Sequence, residues 1–235
     1  MKAEILYGFH PVYEALRAGR RTFHEIYISK QTSTKRIRQI RSAADRQHLQ
    51  IKEVSAAKLQ SLTGAVSHQG VAAKVTAYPL ADVADFLAAA ERENRPPFLL
   101  ILDHIVDPHN LGAIIRTAVC ADIDAVIIPK DRSAYPSPVV SKVSAGALEH
   151  TRVTMVNNIV RFVKTIKDQN FWIVGLDQNA EQSIYNTELT GPVGLVIGGE
   201  QKGIRTLVKQ NCDLLISIPQ TAKVSSLNAS VAGAI

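Results

Sequence analysis

The residues best suited to chemistry fall into three short stretches. The first is Asp107-Pro108-His109-Asn110-Leu111-Gly112, with Arg116 behind it. The second is Gly198-Gly199-Glu200-Gln201-Lys202-Gly203. The third is Ile218-Pro219, followed after a short gap by Ser225-Ser226-Leu227-Asn228-Ala229-Ser230. A glycine pair lets backbone approach a ligand where a Cβ would stand in the way. Asn, Ser and Glu can hold a hydroxyl and share its proton, and Arg can grip a phosphate or stabilise an oxyanion. Each stretch also has a plainer explanation. Asn110 could cap a helix with Arg116 on its surface, Gly198-Gly199 could be a turn, and Ser225 or Ser226 could cap a last helix with Asn228 in its first turn. Asp103, His104, Asp107 and His109 crowd one loop, but their mixed spacing suits solvated turn residues better than metal ligands, so no metal is expected. The plain readings leave one thing unexplained: all three polar sets stand just after predicted strands of one sheet.

Those strands are the frame that must position them. Residues 98–102 are uniformly apolar, as a strand buried on both faces of a parallel sheet would be. Further strands are expected at 125–128, 152–156, 171–176, 193–197 and 214–218, alternating with helices at 111–121, 138–148, 158–169, 204–209 and from about Leu227. Open sheets of this kind bind ligands beyond the C-terminal ends of their strands. No G-x-G-x-x-G follows a strand and no G-x-x-x-x-G-K-[ST] occurs, which argues against a Rossmann-type nucleotide enzyme.

The first third has a different character. Residues 1–75 carry 13 Lys/Arg against 5 Asp/Glu, whereas the remainder carries 14 against 16, so the net +6 of the chain belongs entirely to this part. Basic charge gathered on one module suits a polyanion, because displaced counterions favour phosphate binding without base reading; a merely solvated face is the bland alternative. Pro11 to Ala18 reads as a helix ended by Gly19, 23–29 as a strand, and Thr34 as the cap of a helix to about Gln47. On that helix Lys35, Arg38 and Arg41 recur at three-residue spacing, with Arg36 and Arg46 beside them. A strand at 49–54, a helix from Ser55 to Gly64 and a strand at 71–75 complete a small α/β domain over 1–75. An Ala-rich helix bounded by Tyr78-Pro79 and Pro96-Pro97 makes 76–97 a linker, and 98–235 a second domain.

Composition bounds the class. With 46% hydrophobic and 20% charged residues the chain reads as an ordinary globular protein rather than a disordered one. Its longest apolar runs are too short for a membrane span, and residues 1–9 lack a secretory signal, so a cytoplasmic place and no membrane partner are expected. Cys120 and Cys212 have no metal spacing and read as buried, reduced thiols.

Asp-Pro-x-Asn-x-Gly with Arg116, Gly-Gly-Glu-x-x-Gly, and Ile-Pro followed by Ser-Leu-Asn-x-Ser, in this order, resemble the three motifs of the SpoU/TrmH family, the SPOUT-class RNA ribose 2′-O-methyltransferases. The resemblance covers nearly the whole chain. It implies an α/β SPOUT domain with a parallel sheet and a C-terminal trefoil knot, preceded by a small L30e-like RNA-binding domain, and a homodimer. It implies S-adenosylmethionine as cofactor, contacted at Gly198, Gly199, Ile218 and Leu227, and a catalytic set of Asn110, Arg116, Glu200, Ser226 and Asn228. The family assigns Arg116 as the base; a guanidinium holds its proton tightly in water, so binding the target phosphate or ribose and stabilising the alkoxide is the role we expect. Lys35, Arg36, Arg38 and Arg41 are the expected RNA contacts. The implied partner is structured RNA, with no DNA expected, and the implied reaction is methylation of a guanosine ribose in 23S rRNA. A tRNA ribose methyltransferase and a non-catalytic RNA-binding or ribosome-assembly protein are the alternatives. The loop Gln220-Thr221-Ala222-Lys223 departs from the smaller, glycine-containing loop of relatives, and relatives carry the last helix on beyond Ile235.

Overall fold

The structure is a computed structural model that describes residues 3–64, 67–93, 95–200, 202–221 and 226–235. By packing, the chain forms two units, one of residues 1–79 and 135–150 and the other of residues 80–134 and 151–235.

The first unit is built on a four-stranded sheet of order β1-β4-β2-β3, with β1 Ala3–Tyr7, β2 Phe23–Ser29, β3 Ile51–Val54 and β4 Val71–Thr76. Only β2 and β3 are parallel. Strand β1 is missing from the sequence reading because Ala3 to Tyr7 neither alternates cleanly nor forms an apolar run; its pairing with β4 makes it a strand. Helix α1 (Phe9–Ala18) ends at Gly19 in the left-handed conformation, φ 64°, with the Gly19 N–H donating to the Ala15 carbonyl. Helix α2 (Lys35–Arg46) is capped by Thr34, whose hydroxyl accepts from the Ile37 N–H, and buries Ile37, Ile40, Ala43 and Ala44 against α1 and the sheet. Helix α3 (Ala56–Thr63) is capped in the same way by Ser55.

Residues 135–150 complete this unit, although the sequence reading places them in the second domain and runs one helix from 138 to 148. The structure breaks that run into a helix at Pro138–Val143 and a 3-10 turn at Ala147–His150, with Ala145 and Gly146 both at positive φ between them. A buried ion pair anchors the segment. The Arg21 guanidinium donates to both Glu149 carboxylate oxygens, at 2.7 and 3.1 Å, and also to Glu4 and the Thr76 carbonyl. Ser141 donates a further bond to Glu149. Charges this deeply buried are tolerable only with such complete pairing. A packing partner distant in sequence leaves no local signal, so this placement could not be read from periodicity.

The second unit carries a seven-stranded, all-parallel sheet of order β7-β6-β5-β10-β8-β11-β9. Its strands are β5 Phe98–Asp103, β6 Ala125–Pro129, β7 Val153–Val156, β8 Trp172–Leu176, β9 Gln182–Ser183, β10 Val193–Gly198 and β11 Leu214–Ser217. Two-residue β9, too short for any pattern, is absent from the sequence reading. Helix α4 (Val83–Arg92) corrects the picture of a linker: Phe86 is fully buried in the core of this unit with Leu99, Ile101, Ile127 and Val163, so packing treats 80–97 as part of the second unit. Helix α5 (Pro108–Cys120) turns Leu111, Ile114, Ile115 and Ala118 inward. Cys120 stands off that stripe and is exposed, contrary to the buried thiol expected, while burial pushes the half-buried Cys212 thiol up to about 11. Among the described residues no helix is long and apolar enough to cross a membrane.

Candidate active site

The site lies where the strand order separates. From β5 the chain leaves through α5 toward β6, and from β10 it leaves toward β11 on the other side. Because β5 and β10 are neighbours, their following loops diverge and open a crevice, the place where parallel sheets take ligands. Gly198 pairs with Asp103 in the register, so the first and second motifs start level with one another.

The glycines there are obligatory for packing. A Cβ on Gly198 would sit 2.0 Å from the Gly203 carbonyl carbon, and one on Gly199 would sit 2.5 Å from the His104 carbonyl oxygen. The Gly203 N–H closes this tight loop on the Gly199 carbonyl at 2.9 Å. Beside it opens a cavity of about 390 Å³, within the range of cofactor pockets. Gly198, Gly199, Glu200, Ile218, Ser226 and Leu227 line it, which brings together four expected cofactor contacts and two expected catalytic residues. The sequence reading missed a further wall, Leu176 to Asn179 after β8. The rule that informative residues follow strands applies there too, and Asp177-Gln178-Asn179 was the polar signal available. Asp177 is held below the usual carboxylate range by hydrogen bonds from Lys209 and the Asn179 N–H, which outweigh its desolvation.

A chain of amides joins the three motifs. Ser230 donates through N–H and Oγ to Asn228 Oδ1, Asn228 Nδ2 donates to Asn110 Oδ1 at 3.1 Å, and Asn110 Nδ2 donates to Glu200 Oε1 at 2.6 Å. Every donor points toward the carboxylate, so the bonds polarise one another, strengthen the Asn110 donor and hold Glu200 in place. Asn110 therefore does not cap α5. Asp107 does, accepting from the His109 N–H, while Asn110 sits one turn in and is only 8% exposed. Asn228 caps the helix Ala229–Ala232, a role the sequence reading offers to Ser225 or Ser226; Ser225 lies outside the described residues. Arg116 is exposed on α5, six residues and about 9 Å along the axis from Asn110. It does not line the cavity, so the structure leaves it apart from the amide chain. Of the Asp103, His104, Asp107 and His109 group, buried Asp103 accepts from the Arg205 N–H and Nε and pairs with His104 Nδ1, all at 2.8 Å.

In the first unit, Lys35, Arg36 and Arg38 are exposed on α2. Arg41 spends part of its charge on Glu53 at 2.5 Å, and Arg36 lies over the Phe9 ring rather than extending the row.

A parallel sheet with a glycine-built pocket at its strand ends, and a carboxylate held in that pocket's wall by a chain of amides, is an arrangement suited to binding a small ligand. The profile of the SpoU rRNA Methylase family matches residues 97–235, and that of RNA 2′-O ribose methyltransferase substrate binding matches residues 5–81. The chain belongs to the SpoU family of RNA methyltransferases. It is 39% identical over 99% of its length, and 96% of the relative's, to the Escherichia coli K12 23S rRNA (guanosine-2′-O-)-methyltransferase RlmB. Identity is 41% over 97% of the chain, and 91% of the relative's length, to YacO of Bacillus subtilis, which carries a TrmH-family tRNA/rRNA methyltransferase name. Its fold is shared by the SpoU methyltransferase AviRb of Streptomyces viridochromogenes, solved with AdoMet, at a TM-score of 0.79 and 21% identity over 98% of this chain and 86% of that one. The chain is an S-adenosylmethionine-dependent RNA methyltransferase.

Proposed function

We propose that this protein methylates the 2′-hydroxyl of a guanosine in 23S rRNA. The observation that carries the reading is the Asn228–Asn110–Glu200 chain, which ends on a carboxylate in the wall of the glycine-built cavity, in a protein similar over nearly its full length to enzymes named for that reaction. When bound, S-adenosylmethionine supplies an electrophilic methyl group. Gly198 and Gly199 admit it by backbone, with Ile218 and Leu227 as apolar walls. Glu200 Oε2, which has no partner among the described residues, accepts the ribose O–H and holds the proton that must leave. Asn110 fixes that carboxylate and is itself held by Asn228, and Ser226 lies on the cavity wall. Arg116 grips the target phosphate or ribose and stabilises the oxygen as its proton departs.

Because Arg116 stands outside the cavity, we place it at the site of a second copy: the enzyme is a homodimer. Val106 and Val231 are exposed, beside α5 and on the helix that packs against it, and give such an interface apolar contact. The crossing order of β10 and β11 fits the family's trefoil knot. We further read the α2 row as the phosphate grip on structured RNA, and the cytoplasm as the place of action. The test is mass-spectrometric mapping of ribose methylation in RNA from a strain lacking the protein. Loss of one 2′-O-methylguanosine from 23S rRNA is expected; loss from tRNA, or no loss, would overturn the target.

A further inference from the structure

The second unit has another cavity, larger than the first at about 760 Å³, over the half of the sheet edge that the cofactor side leaves unused. It opens beyond the C-terminal ends of β5, β6 and β7; His104, Arg132, Asn157 and Arg205 supply polar groups over an apolar wall that includes Leu207, and Asp131 adds one carboxylate to the lining. The two cavities share a partition. The His104 carbonyl lies against Gly199 in the first, while the His104 ring faces the second; Gly203 and Ile204 line the first, while Arg205 lines the second.

The cationic groups are prepared for an anion. Buried Asp103 takes Arg205 through Nε, Nη2 and the backbone N–H and orients the His104 ring through Nδ1, which leaves His104 Nε2 and Arg205 Nη1 for a ligand. Arg132 is exposed and makes no ion pair with a described residue. His104 at φ 66° and Arg132 at φ 55° are both non-glycine residues in the left-handed region, and both line this cavity. Strain of this kind persists where the surroundings enforce it and gathers at ligand sites.

We propose that this second cavity holds the phosphate and ribose of a nucleotide adjoining the one that is methylated, with Arg132 and Arg205 on the phosphate and His104 Nε2 on the sugar or base edge. The proposal rests on the reading of the neighbouring cavity as the methyl-transfer site, with which this one shares the 103–104 and 203–205 partition. Two guanidiniums beside polar groups and an apolar wall match a nucleotide better than a small apolar ligand.

The test uses the full chain with an in vitro 23S rRNA transcript, measuring RNA affinity by filter retention and cofactor affinity by calorimetry. Arg132→Gly and His104→Gly are the variants, because glycine accepts the positive φ at both positions and neither can unfold through strain. Each should weaken transcript binding at least five-fold and the pair at least twenty-fold, with cofactor affinity within two-fold of wild type. Arg92→Ala, an exposed cation on α4, should leave transcript binding within two-fold. Unchanged binding in the double variant, an equal loss in Arg92→Ala, or a cofactor affinity that falls with either glycine variant would overturn the proposal. Methylation of the transcript by wild type is scored separately: its failure would sink the assigned reaction, while the binding comparison still decides the subsite.

Discussion

The cofactor cavity and the α2 face represent two ways of making a binding surface. The cavity is walled by backbone brought close at Gly198 and Gly199 and by Glu200, which Asn110 and Asn228 hold from behind, so these walls are set before any ligand arrives. The α2 face offers Lys35 and Arg38 on exposed, rotatable side chains over a well-packed stripe of Ile37, Ile40 and Ala44, with Arg36 resting on the Phe9 ring beside them. A pre-formed wall suits one small invariant molecule, because little ordering is left for binding to supply. A compliant cationic face suits a polymer whose phosphates vary in position and whose binding depends on salt. Damage should therefore be steep and local in the first region and shallow and additive in the second.

The largest effect should come from Arg116→Ala. Removing a group that grips the target and stabilises the developing oxyanion should lower methyl transfer by about 10³-fold or more, while calorimetry finds cofactor affinity within a few-fold of wild type. Turnover near that of wild type, measured by labelled-methyl incorporation, would return Arg116 to the status of an ordinary surface residue.

Arg21→Ala probes the packing behind the basic unit rather than its surface. Leaving Glu149 buried without its partner should cost about 3–5 kcal/mol, a fall in melting temperature of about 10 °C for a chain of this size. Calorimetric melting decides it, and a shift of only a degree or two would mean that residues 135–150 are not anchored by this pair.

Gly198→Ala tests whether the cavity is truly backbone-built. A methyl 2.0 Å from the Gly203 carbonyl carbon must push the 198–203 loop out of place. Cofactor affinity should fall about 100-fold, roughly 2.7 kcal/mol. Titration of the variant with S-adenosylmethionine showing near-normal heat would refute a pocket shaped by those glycines.

The smallest change is expected on α2. Arg38→Ala should flatten the plot of log RNA affinity against log salt by about one unit, as one phosphate contact requires. Arg41→Ala should change it by less, because Arg41 already pairs with Glu53. Cofactor affinity should not respond to either. Equal slopes in wild type and both variants, across a salt series, would mean that this face is only solvated.

The amino-acid sequence by itself determined the elements that hold the site. The apolar run of β5, the caps at Thr34 and Ser55, the stop at Gly19 and the polar sets after β5 and β10 are local signals. They rest on side-chain periodicity, capping and backbone freedom within a few residues. The gathering of positive charge before residue 76 is equally a property of the chain alone. Tertiary structure decided what depends on neighbours far apart in sequence. Asn110 looks like a helix cap until Glu200, ninety residues on, and Asn228, 118 residues on, become its partners. Residues 135–150 look like part of the second domain until Glu149 meets Arg21 across 128 residues. Strand order, the Asp177–Asn179 wall and the second cavity appear only when the β5–β10 pairing sets the loops level. A buried polar group must find a partner wherever the fold supplies one, and that partner's identity is not encoded in the spacing of the residues around it.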